Sequence, residues 1–396
     1  MYRVRQQFDE TRLKDVAGTV RAELAKPEIR ALVKPGMRIA VGVGSRGIQN
    51  LYTIVETTVN SLKELGAEPF IVSAMGSHGG GTEEGQREVL AGYGITEERL
   101  GVPVVTTVDT VYLGNCANGR PVWFDRAAYE ADLIVPINRV KLHTDFVGPI
   151  QSGLCKMLVI GLGNHKGCSA VHEEAPEVFA DAIEETARLI LQKAPVGFGI
   201  AILENAYDKT YAVEAVPAEH LVEREKELVQ IAKGNMPYIM LDEADVIVCG
   251  AIGKDISGAG FDPNILGRSS VLKQFVLHIP RYQRLVLCDV TPASHGNGIG
   301  VGLFDVITKK VAEQLDLESM YANAIACNCL GDASVPCTVD DEETAIRVAL
   351  KCCRNIDRDH PRIIRIQNTL HLGEIEVSEA LLDAVRADSR MSLIEN

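Results

Sequence analysis

Positive charge is scarce in this chain: 40 Lys and Arg stand against 54 Asp and Glu, a formal net charge of −14. No basic block occurs anywhere. Nucleic acid and anionic membrane are therefore excluded as principal partners, because both recruit a basic surface. Long apolar runs are missing too. Stretches such as "MLVIGLG" (157–163) fall far short of the roughly 20 residues that cross a bilayer. The opening "MYRVRQQFDETRLKD" is charged from its start and has no apolar core of a signal peptide, so a cytoplasmic protein is expected. Ten cysteines include no C-x-x-C pair, and Cys249 and Cys288 sit in strand-like runs, which suits reduced core thiols rather than a disulfide framework. There is no fixed-period repeat and no low-complexity tract. The sequence carries no signal of oligomeric state.

What is present reads as α/β. Short β-branched runs recur at 37–45, 68–76, 102–108, 131–140 and 198–206, continuous enough to be strands covered on both faces. Between them, residues 50–66 place Leu51, Ile54, Val55, Val59 and Leu62 at helical spacing and end on a glycine, and residues 173–193 read as a second long helix. A further βα series begins near 241–253 and ends near 363–370. The expectation is two α/β domains with largely parallel sheets and an active-site cleft between them: residues 1–240, to which the tail 373–396 is expected to return, and residues 241–372 closing the substrate cleft.

Two strand-to-helix turns, "GSRGIQN" and "GSHGGGT", offer backbone amides and polar side chains at a sheet's carboxyl edge, where ligands of α/β proteins collect. Ser45 and Arg46 are candidates to hold a phosphate or carboxylate. Thr82 reads as a helix N-cap. Neither turn is a nucleotide fingerprint, since the spacing and downstream acid of G-x-G-x-x-G and the G-K-[ST] of a P-loop are both absent.

The segment "SGLCKMLVIGLGNHKG" (152–167) sets Lys156 in an apolar, glycine-studded run. An unpaired ammonium there costs several kcal/mol, so such a lysine is paired, deprotonated, chemically altered, or snorkelling to solvent. His143, His165 and His172 crowd around it in sequence, and His78 lies in the second glycine turn. No zinc motif such as H-E-x-x-H occurs, but Cys155 and Cys168 in the same stretch leave a Cys/His zinc site open.

These residues resemble the nickel-pincer lactate racemases and their homologues, over most of the first domain and the general two-domain layout. The resemblance implies a 2-hydroxyacid racemase or epimerase, a nickel-dependent isomerase. Its cofactor would be a nickel-pincer nucleotide, pyridinium-3,5-bisthiocarboxylic acid mononucleotide nickel, attached covalently to Lys156. It further implies that Ser45 and Arg46 hold the cofactor, that His78 and His143 are paired catalytic bases, and that His172 ligates nickel. The interval from Lys156 to His172 favours His172 over His165. Cofactor-synthesising proteins become expected partners beside a small 2-hydroxy acid substrate.

The resemblance also has departures. Val43 and Gly44 stand where that family has an acidic residue before the strand-end arginine, and "GAIGKDISGAGFDPN" replaces a segment bearing Tyr, Gln and Lys. The replacement is polar: Asp255, Ser257 and Asn264 suit extra hydroxyls. A substrate larger or more polar than lactate is therefore expected, its carboxylate met by Lys254, with Arg139 and Lys141 in reserve. Two other readings stay open: a zinc-dependent hydrolase or lyase built on the Cys/His cluster, and a non-catalytic carrier or sensor of the nucleotide.

Overall fold

The computed structural model describes residues 1–395 except Arg46, and its contacts divide the chain into two units, residues 10–235 and residues 1–9 with 236–396. Arg46, expected at the cofactor site, lies outside the described residues.

The larger unit is built on a six-stranded sheet in the order Val104–Val105, Glu68–Ser73, Arg38–Val43, Leu133–Arg139, Phe198–Glu204, Thr210–Pro217. The first five strands are parallel and the last is antiparallel. Burial explains the unbroken apolar runs: Ile39, Val41, Val43, Val135 and Ile137 are all fully buried. The helix Leu51–Glu64 buries each of the five positions that its spacing assigns to the core, and Gly66 at φ 82 ends it. Thr82 caps the helix Glu83–Gly92 by accepting from Gly85 N–H.

The second long helix is shorter than its sequence pattern, Phe179–Lys193 rather than 173–193. Pro176 accounts for this, since the residue before a proline is pushed out of the helical region. A separate helix, Asn164–His172, precedes the break.

The other unit carries an eight-stranded sheet in the order Cys337–Val339, Val306–Thr308, Arg284–Leu287, Val246–Cys249, Ile363–Ile366, Glu374–Val377, Tyr2–Gln6, Met391–Leu393. Its first five strands are parallel and the rest antiparallel. This corrects the expected course of the tail. Residues 373–396 do not rejoin the first domain but extend the second sheet, and the N-terminal strand joins them there. In Glu374–Val377, Ile375 and Val377 point into that core with Val4 while the two glutamates face outward, a period-2 pattern that needs a sheet face to cover it.

All ten cysteines are free, and Cys249 is fully buried in its strand. No helix of the described residues is long and apolar enough to cross a membrane.

Candidate active site

The chain enters the sheet of residues 10–235 at its middle. Strand Arg38–Val43 lies between Glu68–Ser73 on one side and Leu133–Arg139 on the other, so the carboxyl ends of these three strands form the point where the strand order reverses. A crevice opens at such a point and takes the ligand in doubly wound sheets. Ser45 follows the central strand, His78 follows one neighbour and His143 follows the other.

Ser45 Oγ is hydrogen-bonded to His78 Nδ1. Tyr93 fixes the serine backbone by donating its hydroxyl to Ser45 O at 2.9 Å. When Nδ1–H of His78 donates to Ser45 Oγ, Nε2 carries the lone pair that a proton acceptor needs.

His143 lies in a closed excursion of the chain. Lys141 and Ser152 pair through both of their backbone bonds, at 2.9 and 3.1 Å, and buried Gln151 accepts from His143 N–H at 2.8 Å. This returns His143 Nε2 to Lys156 Nζ, with which it is hydrogen-bonded. Asp145 N–H donates to His143 Nδ1 at 3.0 Å.

Lys156 belongs to a helical turn, Leu154–Lys156, that widens into a π-type stretch, Met157–Gly161, closed by Leu162 N–H donating to Met157 O at 2.8 Å. Such wide turns recur at functional sites. The glycines of this run allow close approach: a Cβ on Gly161 would lie 2.8 Å from Ala74 O, and one on Gly163 would lie 2.2 Å from Val159 O. Leu154, Cys155 and Leu158 are fully buried while Lys156 is half-buried, as expected of a polar group kept at the lip of an apolar wall.

Glu225 anchors the start of this turn. It is fully buried, accepts from Cys155 N–H at 2.8 Å, and has its pKa pushed up to about 7 by burial. A Cβ on Gly153 would lie 2.6 Å from this carboxylate, so glycine is required there.

His172 ends the helix Asn164–His172. Its Nδ1–H donates to Cys168 O at 2.7 Å, and Cys168 Sγ lies 3.5 Å from the same nitrogen. The thiol contact raises the His172 pKa against the opposing effect of burial. Burial pushes the Cys168 thiol up, and the contact with His172 more than offsets it, so the net shift is downward. With Nδ1 engaged, Nε2 is the nitrogen that would face a metal, and a backbone carbonyl fixing a ligating imidazole is a common arrangement. Neutral imidazole is the form nickel takes. The residues present thus fit a nickel site with one protein ligand.

Contacts tie the parts together. His143 stacks on Phe146 at 4.2 Å, Phe146 meets Phe179 at 4.8 Å, and Phe179 meets His172 at 5.1 Å. Ser77, next to His78, approaches Cys168 Sγ at 3.9 Å, one turn from His172. His165 approaches the turn that carries His78, since a Cβ on Gly81 would lie 3.8 Å from its Cδ2. Arg139 is engaged in an ion pair with Glu204. Lys254 belongs to the other unit, where Nζ donates to Gly258 O at 2.7 Å and the backbone N–H donates to Ser294 Oγ at 2.8 Å. Among the described residues, no three His, Cys, Asp or Glu side chains converge as a metal-binding set.

Sequence reasoning missed Glu225, Phe146 and Phe179. For Glu225 the signal was available: it falls on the face of its helix shared by Leu221, Val222, Leu228, Val229 and Ala232. The aromatic chain could not be read, because it pairs residues from separate elements.

Fold and site together define a two-unit α/β protein with a histidine–lysine centre at the carboxyl edge of a parallel sheet. Residues 4–181 match the family model of the lactate racemase N-terminal domain. Over those residues the chain resembles the lactate racemase N-terminal domain. Among solved structures, the lactate racemase apoprotein from Thermoanaerobacterium thermosaccharolyticum matches with a TM-score of 0.54 at 13% identity, covering 93% of each chain, a likeness of fold. A Thermotoga maritima protein of solved structure aligns at 14% identity and a TM-score of 0.48 over 69% of this chain and 70% of its own. No curated protein sequence matches this chain.

Proposed function

We propose that this protein is a 2-hydroxyacid racemase or epimerase that works with a nickel-pincer nucleotide tethered to Lys156. The observation that carries the reading is the gathering of Ser45, His78, His143, Lys156 and His172 around one strand-order reversal. The lactate racemase N-terminal domain match supports racemase-type chemistry.

A 2-hydroxy acid resists direct loss of its Cα proton, because the ionised carboxylate is a poor electron sink. Inversion through the planar keto acid needs the hydroxyl proton removed as the Cα hydrogen leaves as hydride. The nucleotide, when bound, supplies the hydride acceptor. His78 and His143, which follow the two strands flanking Arg38–Val43, take and return the hydroxyl proton for the two enantiomers. His172 Nε2 would ligate nickel, Ser45 would contact the nucleotide, and Lys156 would hold it. As an amide-like nitrogen Lys156 is uncharged, which removes the cost of an ammonium against buried Leu154, Cys155 and Leu158.

Lys254 is the proposed partner of the substrate carboxylate, on the strength of its place in the loop after Val246–Cys249. The polar residues around it support a substrate larger or more polar than lactate. Cytoplasmic location and dependence on cofactor-synthesising proteins belong to the same proposal.

The zinc hydrolase reading needs about three protein ligands, and no such set occurs among the described residues. The test is a racemisation screen of lactate, dicarboxylic hydroxy acids and sugar acids on cofactor-loaded protein, with Lys254→Ala beside it. Inversion of one of the polar acids, with a raised KM in Lys254→Ala, is the expected result. Loaded protein that inverts none of them contradicts the proposal.

A further inference from the structure

We infer that the chain holds Lys156 as a neutral amine before any cofactor arrives, and that the backbone of Asp145 does this by choosing the tautomer of His143. The inference deepens the tether reading above and rests on it for its biological purpose only.

A neutral imidazole has one N–H and one lone pair. Asp145 N–H donates to His143 Nδ1 at 3.0 Å, so that nitrogen must supply the lone pair. The ring proton is therefore on Nε2, and an imidazolium is excluded because it has no lone pair at all. Nε2 is the atom hydrogen-bonded to Lys156 Nζ. An Nε2–H can only donate, and an ammonium cannot accept, so Lys156 is the amine.

The surroundings of Lys156 act in the same direction. Its neighbours Leu154, Cys155, Met157 and Leu158 are buried, which disfavours the charged form.

The Asp145 carboxylate lies 3.9 Å from His143 Nδ1, too far to take a hydrogen bond from it. Glu225 binds the backbone N–H of Cys155, away at the foot of the helix. The Phe146 ring, 6.0 Å from Nζ, is at the outer limit of a cation–π contact. Arg46 lies outside the described residues.

A neutral amine is the nucleophilic form of lysine. His143 thus has a role in the apoprotein, preparing the lysine for acylation, that precedes its role with substrate. The two roles need opposite tautomers at Nε2. To take a proton there, His143 must first be released by Asp145 N–H, so the turn 143–145 is expected to relax once Lys156 is acylated.

The experiment uses apoprotein with nitrogen-15 histidine, in which long-range proton–nitrogen correlations distinguish protonated from lone-pair ring nitrogens. His143→Gln assigns the signals. Near neutral pH, His143 is expected to show a lone-pair Nδ1 and a protonated Nε2. A protonated Nδ1, on a neutral or a doubly protonated ring, overturns the inference. Asp145→Pro deletes the donating N–H and should abolish the preference, whereas Asp145→Ala, which removes only the carboxylate, should keep it. Should the proline variant not fold, the wild-type spectrum decides alone.

A second readout is acetylation by the N-hydroxysuccinimide ester of acetic acid, followed peptide by peptide against pH. The amine lone pair forms the C–N bond, the ester C–O bond breaks, and the proton shed by nitrogen leaves with N-hydroxysuccinimide. The midpoint for Lys156 should fall clearly below the ordinary lysine value of about 10.4. A midpoint at the ordinary value overturns the inference even if the tautomer is as expected. Neither readout involves loaded enzyme, so failure here leaves the tether to be judged separately, by the mass of loaded protein.

Discussion

Replacing Glu225 by Gln should make the protein more stable at high pH and leave it nearly unchanged at low pH. The carboxyl is fully buried, Oε1 has no partner among the described residues, and its pKa is about 7 against an ordinary 4.5. Burial favours the neutral acid, so the native state keeps a proton between about pH 4.5 and 7 that the unfolded chain has already released. The stability this group contributes is complete below about pH 4.5 and is lost as pH rises through about 7. A separation of 2.5 units at about 1.4 kcal/mol each corresponds to roughly 3 kcal/mol between pH 4 and pH 8.

Glutamine keeps the oxygen that accepts from Cys155 N–H and cannot ionise, so it removes the penalty and retains the helix cap. The assay is urea unfolding of both proteins at unit intervals from pH 5 to 8. Their difference should be small at pH 5 and should grow in favour of Glu225→Gln, toward roughly 3 kcal/mol, by pH 8. Parallel curves across that range would refute the argument, because they would mean that Glu225 titrates alike in both states.

Three other outcomes are expected. His78→Ala and His143→Ala should each lower turnover by about 10²–10⁴-fold, and in both directions, since one base serves each enantiomer; a variant that racemises near the wild-type rate breaks the two-base scheme. His172→Ala should lose nickel, measured by metal analysis, while keeping its organic adduct, and His165→Ala should keep both; the reverse pattern would transfer the ligand role to His165. Gly161→Ala should be destabilised by about 1–3 kcal/mol in urea unfolding, because its Cβ would press on Ala74 O at 2.8 Å; wild-type stability would show that the π-type turn has room to spare.

The sequence made the parallel strands and the helix Leu51–Glu64 legible because their signal is local: continuous β-branched runs and a 3.6-residue period. Lys156 could be singled out because it interrupts an apolar run, Ser45 and His78 because they lie in glycine turns, and His143 and His172 because they crowd around Lys156 in sequence and fit the resemblance. Their pairing could not. That His143 meets Lys156, and that Phe146 and Phe179 connect it to His172, depends on the excursion from Lys141 to Ser152, whose form is set by buried Gln151 and by no periodic signal.

The tail was misplaced for a related reason. Glu374–Val377 reads as an amphipathic strand from its alternation, but its partner Tyr2–Gln6 lies at the opposite end of the chain, and alternation says nothing about which sheet receives a strand. Arg139, held in reserve for the substrate, is engaged by Glu204 from the neighbouring strand, a pairing that only register reveals.

The central claim is that Lys156 carries the cofactor, and the mass of the protein tests it most directly. The chain is produced together with cofactor-synthesising proteins, its intact mass is measured, and the added mass is located by peptide mapping, with Lys156→Ala in parallel. The account predicts an adduct on Lys156, nickel in proportion to it, and a folded Lys156→Ala variant that has neither. An adduct on another residue, or active nickel-containing protein with an unmodified Lys156, would contradict it.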